Sequence, residues 1–192
     1  MLKFNYAAVN VIDKIRKSTG NYFFKNDIAK VRRNRSIQSL KDSKTIGIIY
    51  DATDEKNHDI VCDFVKYFQE NMKIVKAIGY LNFPRLPHYC FPKLSFDYFT
   101  RKDLNWYFKP GTQRVQDFIN EEYDIVIDLS MKDCFPLQYI AGLSHAKFKV
   151  GRYDDKNAGI YDFMLDVNAN IKLEDFIKEC KHYLSIINKK QD

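Results

Sequence analysis

The sequence predicts an α/β protein: a three-layer Rossmann-like sandwich with a mostly parallel sheet of about five strands, preceded by a basic N-terminal helical arm. Three observations carry this expectation. Runs such as TIGIIYDAT and DIVIDLS are continuously apolar and β-branched rather than alternating, as strands covered on both faces are. Between such runs lie stretches with the 3.6-residue apolar stripe of amphipathic helices. The charge is also unevenly placed. Residues 1–44 hold seven lysines and four arginines against three aspartates, a balance of +8, while the remainder holds 20 basic and 22 acidic residues, or −2.

Taken in order, residues 2–19 set Phe4, Ala8, Val9, Ile12 and Ile15 on one helical stripe, with Gly20 available as a stop. The polar, basic stretch that follows is expected as a second helix or an extended connector. The chain thus divides into an arm, 1–44, and a Rossmann-like domain, 45–192. TIGIIYDAT is the first strand, and the helix after it puts Val61, Phe64, Val65, Phe68 and Met72 on one side. KIVKAIGYLN is the second strand, which makes a parallel, right-handed βαβ unit. SFDYF is a short strand leading into a turn, where Thr100 and Asp103 have the spacing of a capping box. A helix with Val115, Phe118 and Ile119 precedes the strand DIVIDLS. Pro136 can open the next helix, where its missing N–H costs nothing, with Leu137, Ile140 and Ala141 facing the sheet. KFKVG and FMLDV are further strands, and the last helix buries Leu173, Phe176, Ile177, Cys180, Leu184 and Ile187.

Composition narrows the class. With 45% hydrophobic and 29% charged residues and only seven glycines and five prolines, the chain belongs with folded globular proteins, not disordered or collagenous ones. No apolar run approaches the ~18–20 residues of a membrane span, and Asn5, Asn10 and Asp13 break the start as a signal peptide. Cys62, Cys90, Cys134 and Cys180 are widely spaced, without a C-x-x-C pair, which suits reduced thiols in a cytoplasmic protein.

In open parallel sheets ligands sit beyond the carboxyl ends of the strands. The candidates there are Asp51, Thr53 and Asp54 after the first strand, Asn82 after the second, and Asp128 and Ser130 at the end of DIVIDLS. Asp51, Asp54 and Asp128 could together hold a hard cation such as Mg²⁺; equally, Asp54 caps a helix and the other two are hydrogen-bonded structural acids. No G-x-G-x-x-G, P-loop, nucleophile-elbow or H-E-x-x-H pattern occurs, and the acidic DATDEKN loop would repel a bare phosphate. No cofactor is implied. His58, His88, His145 and His182 stand singly, as surface or satisfied side chains do.

Two surfaces remain. FPKLSFDYFTRKDLNWYFKPG, residues 91–111, could stack Tyr98, Arg101, Trp106 and Tyr107 on bases or sugars, or could lay Phe96, Phe99, Leu104 and Trp106 over a sheet edge as a shield. Lys30, Arg32, Arg33 and Arg35 form a compact cationic cluster beside a near-neutral domain. Such a cluster suits nucleic-acid phosphate, less so an anionic membrane surface, or serves solubility alone.

KTIGIIYDAT, FPKLSFDYFTRKDLNW, DIVIDLS and FPLQYIAGLSHAKFKVG, in that order over residues 45–187, resemble a bacterial family of small α/β proteins classed as a domain of unknown function. The resemblance implies a cytoplasmic α/β fold and no assigned activity. YDIVIDLS with YIAGLSHAKFKVG is more weakly similar to the N-terminal half of heptosyltransferase-like glycosyltransferases. The expectation is an accessory or binding module, not catalytic, whose basic arm contacts RNA or a nucleoprotein. The alternatives are a phosphate or sugar-phosphate binding protein or Mg²⁺-dependent enzyme using the strand-end residues, and a protein-interaction module.

Overall fold

Strands buried on both faces need a helical layer on each side, and the element order supplies them. The computed structural model describes residues 6–157 and 159–187, with side chains of the first helix from Val11 on. Helix α1 (Tyr6–Ile28) is followed by β1 (Thr45–Asp51), α2 (Glu55–Glu70), β2 (Ile74–Leu81), β3 (Phe96–Thr100), α3 (Gln113–Asn120), β4 (Ile125–Asp128), α4 (Phe135–Leu143), β5 (Phe148–Arg152), β6 (Phe163–Leu165) and α5 (Leu173–Ile186). Among the described residues the sheet has six strands rather than about five, all parallel, in the order β3-β2-β1-β4-β5-β6. The strand after the aromatic segment joins it as an edge. Strand order reverses between β1 and β4, which pair from Ile46 with Ile125 to Ile49 with Asp128.

One face carries Ile46, Ile48 and Tyr50 of β1 with Ile125 and Ile127 of β4, packed under α2 and α5 through Val61, Phe64, Val65, Phe68, Phe176 and Leu184. The other carries Ile49, Ile78 and Val126 under α3 and α4, through Val115, Phe118, Leu137 and Ile140. Met72 does not extend the α2 stripe. The helix ends at Glu70, and Met72 sits at φ 59°, exposed.

Helix α1 runs through Gly20 instead of stopping there. A Cβ at Gly20 would lie 2.6 Å from the Tyr107 carbonyl oxygen, so the residue serves close approach, not termination. At Gly142 of α4 a Cβ would lie 2.5 Å from the Phe24 ring, so the two helices cross tightly with Phe24 and Ile28 over α4. The N-terminal part of the expected stripe does not face this contact: Ile12 and Ile15 are exposed. Phe4 lies outside the described residues, and only the backbone of Ala8 and Val9 is described.

Beyond α1 the chain is extended rather than helical and lies along the body. Ser36 N–H donates to Lys147 O (3.1 Å) and Leu40 N–H to Leu184 O (3.0 Å). Arg33 turns inward. Its side chain, 4% exposed, forms a 2.6 Å ion pair with Asp162 and donates to the carbonyls of Ala146 and Lys147.

Beside this ion pair Lys149 is buried in β5, its Nζ donating to Gly142 O at 2.8 Å. Burial, then the guanidinium groups of Arg33 and Arg35, push its pKa down from 10.5 to about 7, with Asp162 opposing. The unfolded chain therefore binds more protons than the folded one between about 7 and 10.5, and this residue makes stability rise with pH over that window. A thermal-melt series from about pH 7 to 7.8, below the ~8.5 at which ordinary thiols ionise, should show the melting temperature climbing. Lys149→Met should flatten that slope, and an unchanged slope would refute the assignment.

Candidate functional site

The reversal of strand order leaves a cleft at the carboxyl ends of the strands, and the loops there are built by short local hydrogen bonds. Asp51 accepts from Thr53 N–H (2.9 Å), and Thr53 Oγ1 accepts from Asn82 N–H (3.1 Å), which ties the loop after β1 to the end of β2. Asp54 is the N-cap of α2, accepting from Asn57 N–H (3.0 Å). Asp128 is buried, and accepts from Ser130 N–H (2.8 Å) and the Tyr161 hydroxyl (2.6 Å). Burial pushes its carboxyl pKa up, against those hydrogen bonds.

The six strand-end residues therefore separate. Among the described residues no three carboxylate, histidine or cysteine side chains converge on a metal position, so Asp51, Asp54 and Asp128 do not form the cation site that their placement suggested. Asp51 and Asp54 shape turns and a cap. Asp128 and Ser130, with Tyr161, Arg152 and Lys132, line a polar recess of about 20 Å³, room for one water molecule. The Ser130 hydroxyl there is buried beside Asp128, with no partner at good hydrogen-bond geometry among the described residues.

Asn82 lines a larger cavity of about 330 Å³. Tyr80 and Asn82 of the β2 end form one wall, and Cys134, Phe135, Pro136 and Gln138 at the start of α4 form the floor. Leu104 and Phe108 close it on an apolar side, and Lys17 and Asn21 reach in from α1. Arg101 enters from the turn after β3, where Thr100 and Asp103 form the expected capping box, with Asp103 Oδ2 accepting from Thr100 N–H at 2.6 Å.

The electrostatics favour an anion. Lys17 and Arg101 are exposed and make no ion pair among the described residues. The amino end of α4 adds the positive end of its dipole and no side chain caps it, although Pro136 lacks an N–H and Leu137 N–H donates to Cys134 O at 3.0 Å. The one carboxylate lining the cavity, Asp133, accepts from Gln138 at 2.6 Å. Burial pushes the Tyr80 phenol and the Cys134 thiol up to about 12 each, so both keep their protons near neutrality.

Sequence reasoning missed Lys17, Asn21, Phe108 and Gln138 because they come from segments far apart in the chain. Pro136, which marks a helix start soon after a strand, was the available signal for the floor. The aromatic stretch divides between both expectations. Phe96, Tyr98 and Phe99 are core, so Tyr98 cannot stack on a ligand, whereas Trp106 is more than half exposed. His58 is a satisfied core residue, its ring nitrogens 3.0 Å from the Tyr50 hydroxyl and 3.4 Å from Cys62 Sγ. Of the four basic residues 30–35, Lys30, Arg32 and Arg35 are exposed and Arg33 is not.

Helix α1 is held to this cleft mainly by the loop after β3 and by α4. Arg16 donates to Trp106 O (2.6 Å) and lies 4.1 Å over the Phe108 ring, and Phe23 stacks on Tyr107. Asp27 accepts from the Tyr139 hydroxyl and pairs with Lys109 at 2.9 Å. Those two partners outweigh burial and hold its carboxyl below the usual range.

A protein-family model, Family of unknown function (DUF6913), matches residues 16–187. Neither curated proteins nor solved structures give a match, so the likeness to glycosyltransferases finds no counterpart there.

Asp27→Asn would leave the Lys109 ammonium without its counter-charge and weaken the seat of α1 by roughly 1.5–3 kcal/mol. Hydrogen exchange should quicken in α1 while β1 and β4 stay protected, and equal quickening everywhere would mean that the cluster supports the whole fold instead.

Proposed function

The chain belongs to this family of unknown function, and we propose that the protein binds a small anionic molecule, phosphate-bearing or carboxylate, in the cleft between α1, β2 and the start of α4. The carrying observation is the convergence of Lys17 and Arg101, from separate elements and both free of ion pairs among the described residues, on a cavity of about 330 Å³ at the amino end of a helix. That volume is at the small end of the usual range for ligand sites, ~300–1,000 Å³, and apolar walls with a few convergent polar groups are their usual construction. Asn21, Asn82 and Gln138 add amides that can donate to an anion or accept from its neutral part. The role is binding, with α1 as a wall of the site.

A thermal-shift panel of inorganic phosphate, nucleoside mono- and diphosphates, sugar phosphates and dicarboxylates tests this, since a ligand of the native state raises the melting temperature by mass action. At least one anion should raise it, and Arg101→Ala or Lys17→Ala should weaken that anion roughly ten-fold, the loss of one charge-assisted hydrogen bond. No shift with any anion, or a shift that both variants retain, would sink the reading.

A second reading, contact with RNA or a nucleoprotein, is favoured by Lys30, Arg32 and Arg35, which stay exposed; Arg32 also lines a groove with Arg33, Asn34, Glu122, His145 and Lys147. Binding there would weaken with salt as phosphate counterions are released. Replacing Arg32 and Arg35 by Gln should lower the logarithmic salt slope by about two. An RNA titration that shows no binding at low salt removes this reading.

A further inference from the structure

Helix α1 has a second face that neither reading uses. The residues that seat it, Arg16, Gly20, Phe24, Asp27 and Ile28, recur at helical spacing on one side. On the side away from them Val11, Ile15 and Tyr22 follow at intervals of four and seven residues, with Ile12 alongside, and each of the four is more than half exposed. Lys14 and Lys25 are exposed on the same helix. Its described acids, Asp13 and Asp27, are both occupied, by Arg16 at 3.3 Å and by Lys109 at 2.9 Å. The outward surface of α1 therefore combines a bare apolar stripe with cations and offers no unpaired carboxylate.

We propose that this face of α1 docks the protein on an anionic phospholipid surface. The stripe enters the boundary between headgroups and acyl chains, and Lys14 and Lys25 meet lipid phosphates. Basic amphipathic helices that lie in the membrane plane have this construction, and their binding adds buried apolar area to attraction for anionic lipid. Tyr22 suits the same boundary, with an apolar ring and a polar tip. No described helix is long and apolar enough to cross a membrane, so the contact is lateral. Charge decides against a second copy as occupant, because Lys14 and Lys25 would meet a surface of their own sign. Spacing decides against a zipper-like helix partner, because Ser18 stands where such a seam needs a large apolar knob.

The experiment is co-sedimentation of the full chain with phosphatidylcholine vesicles, with and without phosphatidylglycerol, alongside light scattering of the protein alone. The expected result is binding only to vesicles containing phosphatidylglycerol, weaker at high salt. Val11→Ser with Ile15→Ser should reduce it at least roughly ten-fold, and Lys14→Gln with Lys25→Gln should do so independently. All four positions are exposed, and melting curves of both variants verify folding. Absence of binding to the anionic vesicles, equal binding to neutral ones, or wild-type binding by both variants would overturn the proposal. A dimer that Val11→Ser with Ile15→Ser dissolves would overturn it in favour of a second copy.

Discussion

A parallel sheet whose strands are apolar on both sides is stable only if each side is covered, and this requirement organises the molecule. Ile46, Ile48 and Tyr50 of β1 must be buried on one side while Ile49 is buried on the other, so helices are needed on both. The chain meets the need by winding outward twice from β1, first through α2, β2 and β3, then back across the opposite face through α3 to β4. The reversal between β1 and β4 follows from that winding, and the loops that diverge there leave space at the carboxyl ends. The cleft is a consequence of covering the sheet.

What fills one wall of that space is a helix outside the three layers. Helix α1 reaches α4 because two glycines remove the Cβ atoms that would hold the surfaces apart, Gly142 under Phe24 and Gly20 under the Tyr107 carbonyl. A glycine inside a helix costs about 1 kcal/mol relative to alanine, and here the close contact offsets it. Asp27, Lys109 and Tyr139 then fix the helix at its carboxyl end, while Arg16 fixes it in the middle. Lys17 and Asn21 lie between these anchors, and so face the cavity.

The charge of the first 44 residues acquires different meanings residue by residue. Arg33 is paired with Asp162 and hydrogen-bonded to two carbonyls, a structural use that holds the extended segment against β5. Arg16 packs on Phe108, and Lys17 enters the cleft. Lys14, Lys25, Lys30, Arg32 and Arg35 face solvent. A single net figure of +8 covers all of these, and only their surroundings separate them.

Local chemistry in the sequence determined the strands and helices from Thr45 onward, the parallel α/β class, the Thr100–Asp103 capping box and the helix start at Pro136, because each depends on a few neighbouring residues. The continuation of α1 through Gly20 was not legible, since a glycine that ends a helix and one that admits a carbonyl look alike until the carbonyl is in place. The inward turn of Arg33 depends on Asp162, 129 residues away, and the cavity joins Lys17 to Arg101 and Gln138. Nor could spacing reveal that Asp51, Asp54 and Asp128, all at strand ends, point to separate local partners instead of a common centre. Patterns along the chain determined which segments are strands and helices, because backbone preference and one-sided burial are local properties. Which side chains share a site was decided only by the tertiary structure, because convergence depends on how distant segments cross.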